Sequence, residues 1–202
     1  MLTSFSFAAV LTTSFSAVGV SNAKNEQSDE ISCAAKSAYV LDFDTGTVVY
    51  AKNENEKLPI ASMTKIMTAS IILDDVKAGK LNLSDEITVS EKAAGMGGSQ
   101  VFLDANSSHT IKNLLKAVVI ASANDAAVAL SEAASGSEES FVKRMNDKAE
   151  KLGLSNTNFV NATGLPALNA YSSAKAVSYM LKNLLSHDEY FEFSKICLED
   201  YI

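Results

Sequence analysis

The residues best placed to do chemistry are Ser62 and Lys65, in the stretch Leu58-Pro59-Ile60-Ala61-Ser62-Met63-Thr64-Lys65-Ile66-Met67-Thr68. A serine hydroxyl is a weak nucleophile until a base sits beside it. Pro59 breaks the preceding extended segment, and Met63, Ile66, Met67 and Ile71 then recur at helical spacing. Ser62 and Lys65 are therefore predicted in the first turn of a helix, three apart on one face. Lysine serves as a base only after losing its proton. From a reference near 10.4, half-neutrality at pH 7 asks for a fall of about 3 units. A helix N-terminus opposes a cation by about 0.3–1 kcal/mol, less than one unit. Burial can supply about 3–5 units. Desolvation must then do most of the tuning; otherwise Lys65 stays charged and only orients the hydroxyl. Both readings are open at this level, as is a third, in which Ser62 is an ordinary helix cap.

The Ser-x-x-Lys spacing recurs at Ser140/Lys143 and Ser172/Lys175. The first lies inside a charged amphipathic helix and reads as a solvated face. The second opens another helix, where serine is the usual N-cap. Ser122-Ala123-Asn124 is the sequence's single Ser-x-Asn. It falls between two predicted helices, where a loop could present both side chains to a cleft. Ser122 near Lys65 could relay a proton to a leaving amine, and the Asn124 amide could hold a peptide backbone. Alternatively, Ser122 and Asp125 merely cap the following helix.

Several elements must position these groups. Ser37–Phe43 and Thr47–Ala51 read as two strands joined at Asp44-Thr45-Gly46, a hairpin. The Ser62 helix is predicted to reach about Lys77, with Gly79 as its stop. Ile87-Thr88-Val89 is strand-like, Ser90 could cap a short helix, and Gly95–Ser99 is a flexible loop without the context of a phosphate loop. Thr110 opens an apolar helix that breaks near Ser122. An Ala-rich helix over Ala126–Ala134 follows, ended by Gly136. Ser137 caps a helix with the buried stripe Phe141, Met145, Ala149 and Leu152, stopped by Gly153. Asn156–Pro166 is loop, and Ser172 or Ser173 caps a helix to about Leu185. The tail, Tyr190–Ile202, has aromatic, strand-like character. A two-stranded hairpin is marginal alone and needs partner strands.

The 202 residues carry a net charge of −7 and are 47% hydrophobic, a globular composition able to bury a core. The acidic balance argues against nucleic-acid binding and against a polybasic membrane anchor. Residues 1–23 are uncharged and moderately apolar, and Ser21-Asn22-Ala23 resembles a small-residue cleavage site. They read as a secretory signal lacking its positive n-region, with 24–36 as an exposed linker. Cys33 and Cys197 read as two free thiols. No Cys/His cluster has metal-ligand spacing, and His109 and His187 sit in polar, loop-like segments, which argues against a catalytic histidine.

Taken together, Leu58–Thr68 and Leu114–Ala129 closely resemble the D-alanyl-D-alanine carboxypeptidases, the low-molecular-mass penicillin-binding proteins of the serine acyl-transfer superfamily. Ala38–Tyr50, Ser99-Gln100-Val101-Phe102-Leu103 and Phe141–Pro166, including Asn161-Ala162-Thr163-Gly164-Leu165-Pro166, extend the resemblance from about Ala38 to Ser186. It implies an α+β fold of the DD-peptidase/β-lactamase type: an N-terminal hairpin of a central antiparallel sheet, plus a large helical block. It also implies a nucleophile at Ser62, its base at Lys65, and a second motif at Ser122 and Asn124 serving proton transfer and substrate positioning. The substrate class implied is a peptidoglycan stem peptide ending in D-Ala-D-Ala, with β-lactams acylating the same serine and neither metal nor organic cofactor. The setting implied is extracytoplasmic: the cell wall or the outer face of the bacterial membrane. Membrane association would come only through a C-terminal anchor outside this sequence.

One departure stands out. The family's third motif, Lys-Thr-Gly, is absent: Thr45-Gly46 follows Asp44, and Thr163-Gly164 follows Ala162. In the family that motif lies on a strand after the helical block. The chain is therefore expected to be C-terminally incomplete, with residues 37–202 an unfinished catalytic domain lacking later sheet strands and inactive or nearly so alone. The competing readings are a non-catalytic cell-wall or β-lactam-binding protein and, more remotely, a serine β-lactamase. The latter would ordinarily carry Ser-Asp-Asn where Ser122-Ala123-Asn124 stands.

Overall fold

A computed structural model describes residues 33–196. Its axis is helix α1, Thr64–Lys77, in which ten of fourteen residues are buried. A helix buried on nearly every side belongs at the centre of a helical layer. Met67, Ile71, Ile72 and Leu73 fill the core, and helices α3 (Ile111–Ala121), α4 (Asn124–Ser135), α5 (Glu138–Lys151) and α6 (Ala174–Leu184) pack around them. The short helices α2 (Glu91–Ala94) and α7 (Asp188–Ser194) complete the block. α2 packs on α4, and α7 packs on α3.

Side chains fix where most of these helices begin. Ser90, Thr110, Ser137 and Ser173 each accept a hydrogen bond from the backbone N–H three residues on. Each therefore satisfies one of the orphan donors of a first turn. Ser173, not Ser172, caps α6. Gly79, Gly136 and Gly153 follow α1, α4 and α5 with φ of 69°, 77° and 71°, the left-handed conformation that ends a helix.

The predicted hairpin is present as β1 (Ala38–Leu41) and β2 (Val48–Lys52), antiparallel, with a register irregularity between Val40 and Leu41. The Asp42 carboxylate accepts from Thr45 N at 2.8 Å, and Gly46 closes the turn at φ 71°. The hairpin lies against α6. There the Tyr39 and Tyr179 rings are 6.3 Å apart, and Lys182 Nζ stands 5.6 Å over the Phe43 ring. A second antiparallel pair joins β3 (Glu86–Thr88) to β4 (Ser108–Thr110). The fold is thus α+β, as expected, with two separate two-stranded pairs among the described residues.

Three local expectations are corrected. The tail was expected to be strand-like from Tyr190, but Asp188–Ser194 is helical, its two leading acids lying in the first turn. Acidic side chains complement a helix N-terminus, and Phe193 is fully buried against the block. His187 is not in a solvated loop. It is 4% exposed, with Nε2 3.0 Å from Asp74 Oδ1 and Nδ1 3.2 Å from Leu184 O. His109 lies in β4, its Nε2 2.9 Å from Ser107 Oγ. Cys33 is a free, half-buried thiol. The predicted signal segment, most of the predicted linker, and Cys197 lie outside the described residues.

Candidate active site

Ser62 does not sit in the α-helix itself. It occupies a 3₁₀ turn, Ala61–Met63, that feeds into α1. In 3₁₀ geometry residues three apart eclipse each other, so Lys65 lies directly alongside Ser62. No side chain caps either this turn or α1, which removes the reading of Ser62 as a cap. Ser62 is exposed, whereas Lys65 is only 5% exposed. The arrangement is an accessible hydroxyl over a buried amine.

Lys65 Nζ is 3.4 Å from Ser62 Oγ and donates to Thr163 O at 2.8 Å. Burial lowers its pKa to about 8. Desolvation is the whole cause, as the sequence argument required of a lysine base. The separation from Ser62 Oγ is at the long edge of a hydrogen bond, as is common before substrate tightens a site.

Ser122 follows the last residue of α3 with φ 54° and ψ 35°. A serine in left-handed conformation is uncommon, and such strain concentrates at functional sites. The bend turns Ser122 into the cavity of about 160 Å³ that Ser62 and Lys65 also line. Apolar side chains, Ile66, Val118 and Leu184 among them, make its floor, and Tyr190 of α7 joins its wall. Larger depressions lie elsewhere. One of them is lined by Ser155 and by Ser173, the latter already engaged in capping α6.

Asn124 is placed differently from Ser122. It is 3% exposed, its Nδ2 donates to Gly97 O at 2.7 Å, and its backbone N–H donates to Ser99 O at 2.7 Å. Its amide is thus partly spent on holding the Gly95–Ser99 loop. A Cβ at Gly98 would lie 2.8 Å from Asn124 Nδ2, so that loop needs its glycine to approach. Asp125, fully buried, does not simply cap α4. Its carboxylate accepts from Val101 N, Leu103 N and Ala126 N at 2.9–3.3 Å. The Asn124-Asp125 dipeptide therefore fixes the whole 97–103 segment beside Ser122.

Two other Ser-x-x-Lys pairs, Ser140/Lys143 and Ser172/Lys175, are not brought to this cavity. Ser140 and Lys143 are exposed on α5. Ser172 is buried, pairs its backbone with Leu58, and lies 2.8 Å from Thr157 Oγ1 through its hydroxyl. Sequence reasoning gave no individual part to the turn Asn161–Leu165 or to Tyr190. Asn-x-Thr-Gly is readable as turn chemistry. That a backbone carbonyl in this turn meets Lys65, 98 residues earlier, has no sequence signal.

The sequence profile of the D-alanyl-D-alanine carboxypeptidase family, peptidase S11, matches residues 22–201, and the chain belongs to that family. It is 49% identical over 177 residues to D-alanyl-D-alanine carboxypeptidase DacF of Bacillus subtilis, covering 88% of this chain and 45% of that protein. The structure is similar to the D-alanyl-D-alanine carboxypeptidase DacD of Francisella tularensis, with TM-score 0.76 and 33% identity over 82% of this chain and 39% of the other. It is also similar to penicillin-binding protein D2 of Listeria monocytogenes, solved in its ampicillin-bound form. There the TM-score is 0.71 and the identity 30%, over 81% of this chain and 67% of that one. The chain spans about 45% of the length of the Bacillus relative.

Proposed function

We propose that this chain carries the nucleophile, base and second-serine portion of a serine-type D-Ala-D-Ala carboxypeptidase acting on peptidoglycan stem peptides. The observation that carries the reading is the shared cavity of Ser62, Lys65 and Ser122, with Lys65 desolvated beside the Ser62 hydroxyl. With a pKa of about 8, about a tenth of Lys65 is neutral at pH 7, enough for a base and far more than for an ordinary lysine. That favours the base over a lysine that stays charged and only orients.

In the proposed reaction neutral Lys65 takes the Ser62 proton. Ser62 Oγ then adds to the carbonyl of the penultimate D-Ala. Ser122 passes a proton to the amine of the terminal D-Ala as the C–N bond breaks, leaving an acyl-enzyme on Ser62. Water, deprotonated through the same groups, releases the shortened peptide and restores Ser62. Asn124 orients the substrate backbone while holding the 97–103 segment. A β-lactam enters by the same addition, its ring nitrogen being the leaving group. The bound ampicillin of the Listeria relative accords with that.

The sequence has no Lys-Thr-Gly, whose strand supplies part of the oxyanion site in the resembling family. Loss of one oxyanion donor lowers turnover about 100- to 1000-fold. The 202-residue chain alone is accordingly expected to turn over very slowly. The protein is placed outside the cytoplasm, where its substrate is. Residues 1–23 would act as export signal and 24–36 as linker, ahead of catalytic-domain sequence over 37–202. Among the described residues no helix is long and apolar enough to cross a membrane.

The test is intact-mass spectrometry after incubation with penicillin, with peptide mapping and a Ser62→Ala control. It is run on this chain and on the same chain joined to a family strand bearing Lys-Thr-Gly. One adduct on Ser62, absent from the control, supports the reading. An unlabelled Ser62 in both proteins rejects it. Acylation without release of D-Ala from a peptide would mean a β-lactam-binding protein, not a carboxypeptidase.

A further inference from the structure

The loop after α5 contains a side chain that organises three backbone groups and a hydroxyl at once. Asn161 Oδ1 accepts from Thr163 N at 3.2 Å, Thr163 Oγ1 at 3.2 Å and Gly164 N at 2.6 Å, while Asn161 Nδ2 donates to Leu165 O at 2.9 Å. A carboxamide has two acceptor lone pairs and two donor hydrogens, so this set uses its acceptor side in full. The result is a tight turn whose carbonyls point outward in fixed directions. The Thr163 carbonyl meets Lys65 Nζ at 2.8 Å, and the Ala162 carbonyl meets Thr68 Oγ1 at 2.8 Å. Both donors are on the buried face of α1, one turn apart.

The same turn presses on the nucleophile from behind. Gly164 has φ 83°, and a Cβ there would lie 1.9 Å from Ala61 O and 2.9 Å from Thr64 Oγ1. Only a glycine lets the two backbones meet. Ala61 is itself left-handed at φ 46°, a conformation an alanine adopts only under constraint. Glu138 holds the turn from outside, accepting from Ala162 N at 3.0 Å and pairing with Lys92 at 2.8 Å. Thr163 is 1% exposed and Ala162 fully buried, so water does not substitute for these contacts.

We infer that Asn161 is a positioning residue of the acyl-transfer site, acting through the Thr163 carbonyl on Lys65 and through Gly164 on the Ala61–Ser62 backbone. This deepens the reading given above and rests on it for the word acyl-transfer. The geometric part, that Asn161 governs the surroundings of Lys65, stands on its own. Asn161 touches neither Ser62 nor Lys65. Its effect is to fix where the lysine amine sits relative to the hydroxyl and to keep solvent from reaching it. A displacement of about 1 Å in such an arrangement lowers rates about 100-fold.

The experiment compares Asn161→Ala and Asn161→Asp with the unsubstituted chain, each joined to the Lys-Thr-Gly strand for the kinetic arm. Aspartate keeps the acceptor oxygen for Thr163 and Gly164, replaces the donor to Leu165 with a second carboxylate oxygen and adds a negative charge, so its kinetics are read on the pH plateau where Lys65 is neutral. The first measurement is NMR titration of the Lys65 side chain in lysine-labelled protein, assigned with Lys65→Arg, which needs no activity. In Asn161→Ala the midpoint is expected to rise by at least one pH unit, because the loosened turn admits water to the amine. The second is the rate of penicillin acylation of Ser62, expected to fall 10- to 100-fold in Asn161→Ala and to stay within about 5-fold in Asn161→Asp at the pH plateau. A folded Asn161→Ala that titrates like the parent and acylates within 2-fold overturns the inference. If Asn161→Ala does not fold, a loss above 100-fold in Asn161→Asp overturns it, since that variant retains the acceptor set. If no protein acylates, the functional reading falls while the titration still decides the geometric one.

Discussion

Two lysines, buried Lys65 and half-buried Lys148, meet opposite sets of partners around α1. Lys148 Nζ donates to Asp74 Oδ2 and to Ser70 Oγ, each at 2.6 Å. Desolvation lowers its pKa, but hydrogen bonding and attraction from Asp74, with attraction from Asp75, work against that. Around it lies a fully engaged network. Ser70 donates to Asn183, His187 meets Asp74, and Arg144 joins Asp75 to the Ala134 carbonyl and Ser135. Lys65 meets a carbonyl and a hydroxyl, and desolvation alone sets its shift, to about 8. Desolvation lowers both amines; what separates them is the carboxylate, since Asp74 opposes the shift at Lys148 and no acid does so at Lys65. Lys148 reads as a structural cation tying α5 to α1, and Lys65 as a lysine whose proton is held more loosely than usual.

The sharpest way to break this contrast is to remove each amine. Lys65→Ala is expected to lower penicillin acylation of Ser62 about 100- to 10,000-fold, the range of general-base contributions, measured by stopped-flow or quenched mass spectrometry. Lys148→Met should leave acylation within about 3-fold. It should lower unfolding free energy by roughly 1–3 kcal/mol, because Ser70 and partly exposed Asp74 lose a partner. Equal kinetic losses in the two variants would end the distinction.

Gly164→Ala sits between these in expected effect. The added Cβ cannot coexist with Ala61 O, so the turn must withdraw. Acylation should fall at least 10-fold and the melting temperature should drop, whereas Gly153→Ala, with open space at its Cβ, should spare acylation.

The pH dependence separates the lysines further. The acylation rate should rise about tenfold per pH unit below a midpoint near 8 and level off above it, as Lys65 loses its proton. Stability follows with a definite sign. The folded state holds Lys65 at about 8, below its unfolded value near 10.5, so between those limits the unfolded chain binds more protons. The penalty of burying the cation is complete below about pH 8 and is relieved as pH rises through that window. A Lys65→Met variant should therefore be more stable than the parent at pH 7, by roughly 1–3 kcal/mol, with the gap closing towards pH 10. Chemical denaturation at both pH values measures it. The smallest effect should come from Ser140→Ala or Lys143→Ala, the exposed repeat of the same spacing, with stability changes within about 0.5 kcal/mol and unchanged acylation.

Much of the fold and part of the site were legible in the residues. Helix starts at Ser90, Thr110, Ser137 and Ser173, and stops at Gly79, Gly136 and Gly153, follow from local capping chemistry that any sufficiently long chain obeys. The hairpin around Asp42–Gly46 is equally local. Where the reading missed, the deciding contacts were remote. The helix at Asp188–Ser194 gains its burial from Phe193, and His187 reaches Asp74 across 113 positions.

The sequence by itself determined that Ser62 and Lys65 would be adjacent, since a spacing of three within one turn admits nothing else. It also determined that Ser122 and Asn124 would fall at a helix junction. Tertiary structure decided the state of those groups. The 3₁₀ turn at Ala61–Met63, the left-handed Ser122, the diversion of Asn124 to the Gly97 carbonyl, and the Thr163 carbonyl over Lys65 all depend on segments far apart in the chain. A lysine's pKa depends on which atoms surround it and how much water they exclude. Neighbours in space supply both, and no local pattern of residues encodes them.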